Sequence, residues 1–161
     1  MDPSKIMTYP ILTPIPEGID PNITHLETLN MQLFTNASSM HSDLGGGNHG
    51  HLGLICPAGE YIALPNTIAW VDPVHPGPNP VHLAGATQFQ IIEDNRLYKA
   101  NLELFQLCNS INNCLKNQLL TAVPKVFTAH MADPILGYTN TTCAQLLAEL
   151  NNTWGEVTPE D

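Results

Sequence analysis

Proline placement constrains this chain more than any other feature. Pro3, Pro10, Pro14 and Pro16 punctuate residues 1–20, and Pro65, Pro73, Pro76, Pro78 and Pro80 punctuate residues 65–83. Proline lacks a backbone donor and clashes with a preceding helical turn, so neither stretch can be a helix interior or a central strand. Helices are therefore confined to what lies between and after, and the expectation is an extended arm, then helices, then a long proline-rich surface loop, then more helices. The arm alternates its prolines with Ile6, Ile11, Leu12 and Ile15. As polyproline II or an edge strand it needs a surface for these side chains, on this domain or on a neighbour.

Within the permitted stretches the apolar spacing is helical. Leu26, Leu29, Leu33, Ala37 and Met40 recur at three- and four-residue intervals, and Thr24 with Glu27 has the form of a capping box, which predicts a helix starting at Thr24. Residues 52–55 read as a short strand, and residues 57–64 as a short helix with Pro57 in its first position. Thr87 and Gln90 form a second capping box, and Pro124 stops the helix that follows near Ala122. This long helix has one apolar stripe through Leu97, Ala100, Leu104, Leu107, Ile111, Cys114 and Leu115, and a second through Tyr98, Leu102 and Phe105. Two stripes imply either a central helix or one that touches another subunit. A short helix near residues 125–131 and a last one over residues 142–154, with Cys143, Leu146, Leu147, Leu150 and Trp154 on one face and Gly155 as its C′ residue, complete an all-α reading. The division expected is an extended arm over 1–20 and a single globular helical domain over 21–161.

The segment 39–54, SMHSDLGGGNHGHLGL, is neither helix nor linker. Three consecutive glycines permit a tight reversal at positive φ, at a high ordering cost. The string resembles the Gag region of copia-type LTR retrotransposons, in which a helix ends in His-Ser-x-Leu-Gly-Gly-Gly and continues as His-Gly-His-Leu-Gly-Leu; the matching residues are His41, Ser42, Leu44 to Gly47, His49, Gly50 and His51 to Leu54. Further likeness lies at Pro57, Glu60 and Tyr61, at Pro73 with Pro76 and Gly77, at Ala84 to Thr87, and at Leu119, Leu120, Ala122, Gly137 to Thr139, Leu146, Leu147, Trp154, Gly155, Thr158 and Pro159. It covers roughly residues 24–161, with one specific motif and several ordinary ones.

The resemblance implies a capsid-type structural protein rather than an enzyme, similar to a capsid N-terminal domain, that self-assembles as a homo-oligomer into an intracellular, cytoplasmic shell or lattice. In that family nucleic acid is bound by a downstream basic or zinc-knuckle region, which is expected beyond Asp161, so that this chain would be one part of a longer product. Expected assembly contacts are Ile11 and Ile15 of the arm, His49 and His51 of the turn, Pro76 and Pro78 of the loop, and Tyr98, Leu102 and Phe105 of the second stripe. Removing residues 1–20 is expected to impair assembly while leaving most of the helical content.

Composition agrees with these expectations. At 161 residues the chain suits one domain, and a domain of this size buries roughly 70% of its unfolded surface. The formal net charge is −10, with Arg96, Lys5, Lys99, Lys116 and Lys125 the five cations. Phosphate binding needs clustered Lys and Arg, so direct nucleic-acid binding by this segment is not expected. No run of about 18 apolar residues and no charged-then-apolar leader occurs, and neither a membrane span nor a secretory signal is read. Cys56, Cys108, Cys114 and Cys143 lack framework spacing and read as free, mostly buried thiols.

Chemistry-bearing candidates are few. His49 and His51 are two apart and with His41 or Asp43 form a possible three-ligand metal site, giving the alternative of a metal-binding module or metal-dependent enzyme on His41, His49 and His51. The plainer role for histidine in a glycine-rich turn is to hydrogen-bond backbone carbonyls, so no metal and no cofactor are assigned. His41, Ser42 and Asp43 are adjacent and cannot take triad geometry, and no catalytic residue is assigned. A third reading is a monomeric adaptor that displays the proline-rich loop to a partner domain.

Overall fold

A computed structural model describes residues 3–5 and 7–154. Its helices are α1 (Ile23–Ser39), α2 (Ala58–Ile62), α3 (Gln88–Ala122) and α4 (Cys143–Trp154), and no strand occurs among the described residues. The expectation for Gly155 lies outside the described residues.

Helix α1 begins one residue earlier than its sequence suggests. The cap is Asn22, whose side chain accepts from the backbone N–H of His25 at 3.0 Å, while His25 Nδ1 accepts from the Asn22 N–H. Histidine here does what glutamate or glutamine does in the usual box, so Thr24 and Glu27 are passed over. Helix α3 starts as its box predicts, with reciprocal bonds between Thr87 and Gln90, and ends at Ala122 ahead of Pro124. Helix α4 has a third such pair, Thr142 with Gln145. The expected helix near 125–131 is instead two single turns, Lys125–Phe127 and Ala129–Met131, and the expected strand at 52–55 is a turn over Leu52–Leu54. Pro57 sits at the cap of α2, not inside it.

Helices α1, α3 and α4 pack on one another around a single core: Leu26, Leu29 and Leu33 from α1, Ile111, Leu115 and Leu119 from α3, and Leu146 and Leu150 from α4 are essentially inaccessible. The arm belongs to the same core. Met7, Leu12 and Ile15 are buried in it, so the boundary expected at residue 20 does not divide two packing units.

The arm is not extended throughout, since Pro3–Lys5 is a single helical turn, and where Met7, Leu12 and Ile15 turn inward its backbone has donors and acceptors that no ladder satisfies. Amide side chains of the neighbouring helices take that place. Asn36, fully buried in α1, accepts from the Tyr9 N–H at 2.8 Å and donates to the Tyr9 carbonyl at 2.7 Å and to Gln118 Oε1 at 3.0 Å. Gln32 accepts from the Thr13 N–H and donates to the Thr13 hydroxyl, both at 2.9 Å. The Ile15 N–H donates to the carbonyl of Ala122 at the end of α3, at 2.7 Å.

Candidate functional site

The glycine–histidine turn folds back onto the end of α1. Met40 caps the helix in an extended conformation, and Gly45, Gly46, Gly47 and Gly50 all have positive φ. The His51 N–H donates to the carbonyl of Ala37 at 2.9 Å, which draws the chain at Gly50 against the helix end. A side chain at Gly50 would strike the carbonyls of Ser38 and Met40, so glycine is required there for both conformation and space.

His51 is fully buried. Its Nδ1 lies 2.6 Å from the Met40 carbonyl; a carbonyl only accepts, so Nδ1 bears the proton and Nε2 is the bare nitrogen. Nε2 has no hydrogen-bond partner among the described residues. Burial holds the imidazole pKa below its ordinary value, partly offset by the Met40 bond, with nearby His41 lowering it further. A neutral ring is thus built into the turn.

The start of the proline-rich loop closes over the same turn. The Ile68 N–H donates to the Gly45 carbonyl at 3.2 Å, which also accepts from the Tyr61 hydroxyl at 3.1 Å. His49 Nε2 lies 3.2 Å from the Pro65 carbonyl, and Asn48 donates to the Asn66 carbonyl at 3.0 Å. Trp70 covers the assembly, with its ring edge-on to His51 at 6.0 Å and to Tyr61 at 6.1 Å. Gly53 has no room for a side chain because Trp70 lies against it.

The three histidines are not gathered into a ligand set. His51 is turned to Met40 and His49 to Pro65, while exposed His41 pairs with Asp43 at 3.2 Å. Among the described residues no group of three or more His, Cys, Asp or Glu side chains is placed to hold a metal ion. The Ser42 hydroxyl accepts from the Leu44 N–H, a local turn bond, and no base approaches it among the described residues.

The later part of the loop runs antiparallel along the first half of α3. His75 meets Phe105 edge-on at 5.3 Å, the Tyr98 hydroxyl donates to the Gly77 carbonyl at 2.9 Å, and His82 Nδ1 lies 3.6 Å from the Asp94 carboxylate. Loop and second stripe therefore cover each other: Tyr98, Leu102, Phe105 and Pro76 are half-buried by this chain's own packing, whereas Pro78 is exposed. Of the other expected contacts, Ile11 is 80% exposed beside a groove of about 450 Å³ between the arm and α3. Ile15 and His51 lie inside the fold and offer no surface to another copy as the chain stands.

Trp70, Asn36 and Gln118 are the structural residues that spacing did not single out. Trp70 sits among residues that read as loop, and Asn36 and Gln118 look like solvated helix positions until the arm's unpaired backbone is considered. No protein-family model, curated protein or solved structure matches the chain.

Proposed function

We propose that this chain is a structural, self-associating protein of the copia-type Gag class, similar to its capsid N-terminal region, and that its function is to build an intracellular shell or lattice from copies of itself. The observation that carries this reading is apolar surface that the core does not use. Val81 is 94% exposed, Leu83 86% and Phe89 76%, with Ile92 and Leu97 close by along α3. Large apolar side chains left exposed in this number on a chain with so few charges favour association. The resemblance of the glycine–histidine string supplies the family.

The charge distribution supports a division of labour in which this segment does not hold nucleic acid. Lys116 is buried and donates to the Tyr138 carbonyl at 2.9 Å, and Arg96 is paired with Glu93. Among the described residues no helix is long and apolar enough to cross a membrane.

Light scattering coupled to size exclusion, followed by negative-stain imaging, tests the proposal. Concentration-dependent oligomers or particles are expected. A monomer at every concentration and salt level refutes assembly by this chain and favours the adaptor reading, for which the exposed Ile68, Val71 and Val74 of the loop would be the display surface.

A further inference from the structure

Helix α3 is 35 residues long, whereas α1 and α4, which pack against it, have 17 and 12. At 1.5 Å per residue α3 extends about 52 Å against roughly 25 Å and 18 Å for its partners. Its fully buried side chains begin only at Cys108. The first stripe nonetheless continues past the end of the core with unchanged register: Leu104, Ala100 and Leu97 recur at four- and three-residue steps on the face that carries Ile111 and Leu115 lower down. Ala100 and Leu97 are exposed and Leu104 half-buried. The loop does not cover this face, because it lies on the side of Tyr98 and Phe105.

We propose that this overhanging face is a two-fold contact, occupied by the same stretch of α3 from a second copy, running antiparallel. The proposal rests on the self-association reading and names its first contact. Charge complementarity selects the occupant. In the pairing that sets Leu97 against Ala100 of the second copy, the two-fold axis passes between Tyr98 and Lys99. Arg96 and Glu103 lie seven residues apart, on one flank of the stripe. The antiparallel pairing brings each Arg96 opposite Glu103 of the second copy, so two ion pairs form by symmetry. On the other flank Asp94, which His82 of the loop approaches at 3.6 Å, meets a neutral Asn101, while Glu93, on the seam four residues before Leu97, comes beside Glu103 of the second copy, and Arg96 together with Lys99 of the second copy offsets those two carboxylates. Each flanking side chain would exchange a partner within its own helix, Glu93 for Arg96 and Lys99 for Glu103, and these pairs are exposed and weak, with Arg96 62% and Glu103 65% exposed. One helix pair buries less than the ~1,600 Å² of a standard stable complex, so the dimer is weak and concentration-dependent.

Sedimentation velocity over a concentration series tests the contact through charge exchange, with circular dichroism to verify the fold. Arg96→Glu alone sets carboxylate against carboxylate at both ends of the contact, and Glu103→Arg alone sets guanidinium against guanidinium; each should weaken dimerisation by about tenfold or more. An equimolar mixture of the two variants restores the attraction as a heterodimer, in which one end pairs the two original side chains and the other pairs the two replacements. The mixture should return to within a few-fold of the unaltered protein. Should a charge variant lose helicity, Leu97→Asp at a position already 51% exposed gives the same reading of the apolar seam. Variants that associate as well as the unaltered protein, or a mixture that stays monomeric, overturn the contact. If the unaltered protein still forms larger particles in that case, the assembly reading survives and only this interface fails. If the variants break a dimer but the unaltered protein never grows beyond two copies, the contact stands and the shell reading fails. A monomeric unaltered protein overturns both.

Discussion

Gly50→Ala is the substitution whose cost can be worked most fully from the fold. Gly50 is buried with φ +55°, and an added Cβ would lie 2.6 Å from the Met40 carbonyl and closer still to that of Ser38. Two penalties add. An L-residue in the left-handed region costs about 1–2 kcal/mol. Overlap with backbone, which cannot swing aside like a side-chain end, costs about a further 1–3 kcal/mol as in other overpacked sites. The expected destabilisation is therefore about 2–5 kcal/mol. Gly47→Ala is the control: its φ is +79°, but the nearest atom to an added Cβ is the Ser42 carbonyl at an ordinary 3.9 Å, so only the conformational penalty of about 1–2 kcal/mol applies. Urea unfolding followed by far-ultraviolet circular dichroism measures both. If the two variants agree within about 0.5 kcal/mol, the close approach of the turn to α1 is not a source of stability and Gly50 is not required for space.

His51 predicts acid sensitivity. Its folded pKa is lowered by burial relative to the unfolded chain, so the unfolded state binds the proton more tightly; its stabilisation is complete above about pH 6.5 and falls as pH drops below that value towards the folded pKa. His51→Gln should flatten the stability profile in this window, and an unchanged profile would remove His51 as its origin. Cys143, whose thiol burial pushes up to about 12, and Cys108, at about 11, should resist a thiol reagent at pH 8 until urea is added, while half-buried Cys56, its thiol raised less by burial, reacts before them; early modification of Cys143, measured by peptide mass, would contradict the packing. Ile15→Ala should cost about 2–4 kcal/mol, and removal of residues 1–20 should lower the melting temperature sharply rather than spare the helices, because Met7, Leu12 and Ile15 are core residues. A deletion that melts like the full chain would show that the arm is peripheral.

The parts of the fold that could be read beforehand are those in which local chemistry and tertiary packing agree. Thr87, Gln90 and Pro124 bracket α3, and the heptad-like leucines of α1 and α4 face the core as their spacing requires. The misreadings share one cause, which is that a side chain or segment outside the local pattern decides the outcome. His25 replaces glutamate in the α1 cap, the 52–54 segment turns where Trp70 lies against Gly53, and the second stripe of α3 is covered by the loop of the same chain. The arm posed the sharpest ambiguity, since its isoleucines fit a neighbour as well as this domain. What resolves it is polar and visible only in the fold: Gln32, Asn36 and Gln118 look like solvated helix positions, yet they lie where the backbone of the arm needs donors and acceptors. Within the turn, the role of histidine as a carbonyl partner was legible for His49 and His51, whereas the depth at which His51 is buried was not.

Charge placement separates two effects of salt on association. The overhanging stretch of α3 carries Glu93, Asp94 and Glu103 against Arg96 and Lys99, so it is close to neutral while the chain as a whole has a net charge of −10. Repulsion between copies therefore arises mainly outside the contact, over distances beyond the Debye length of ~10 Å at 0.1 M salt, and added salt removes it. The Arg96–Glu103 pairs act at contact distance, where screening is weaker. Association should thus strengthen as salt rises from low to moderate concentration and then level off, with Arg96→Glu lowering the plateau. Assembly bridged by nucleic acid has the opposite slope, because salt releases the bound phosphates. Light scattering across a salt series on nuclease-treated protein distinguishes the two, and association that declines steadily with salt would refute both the screened repulsion and the absence of a phosphate-bound contribution.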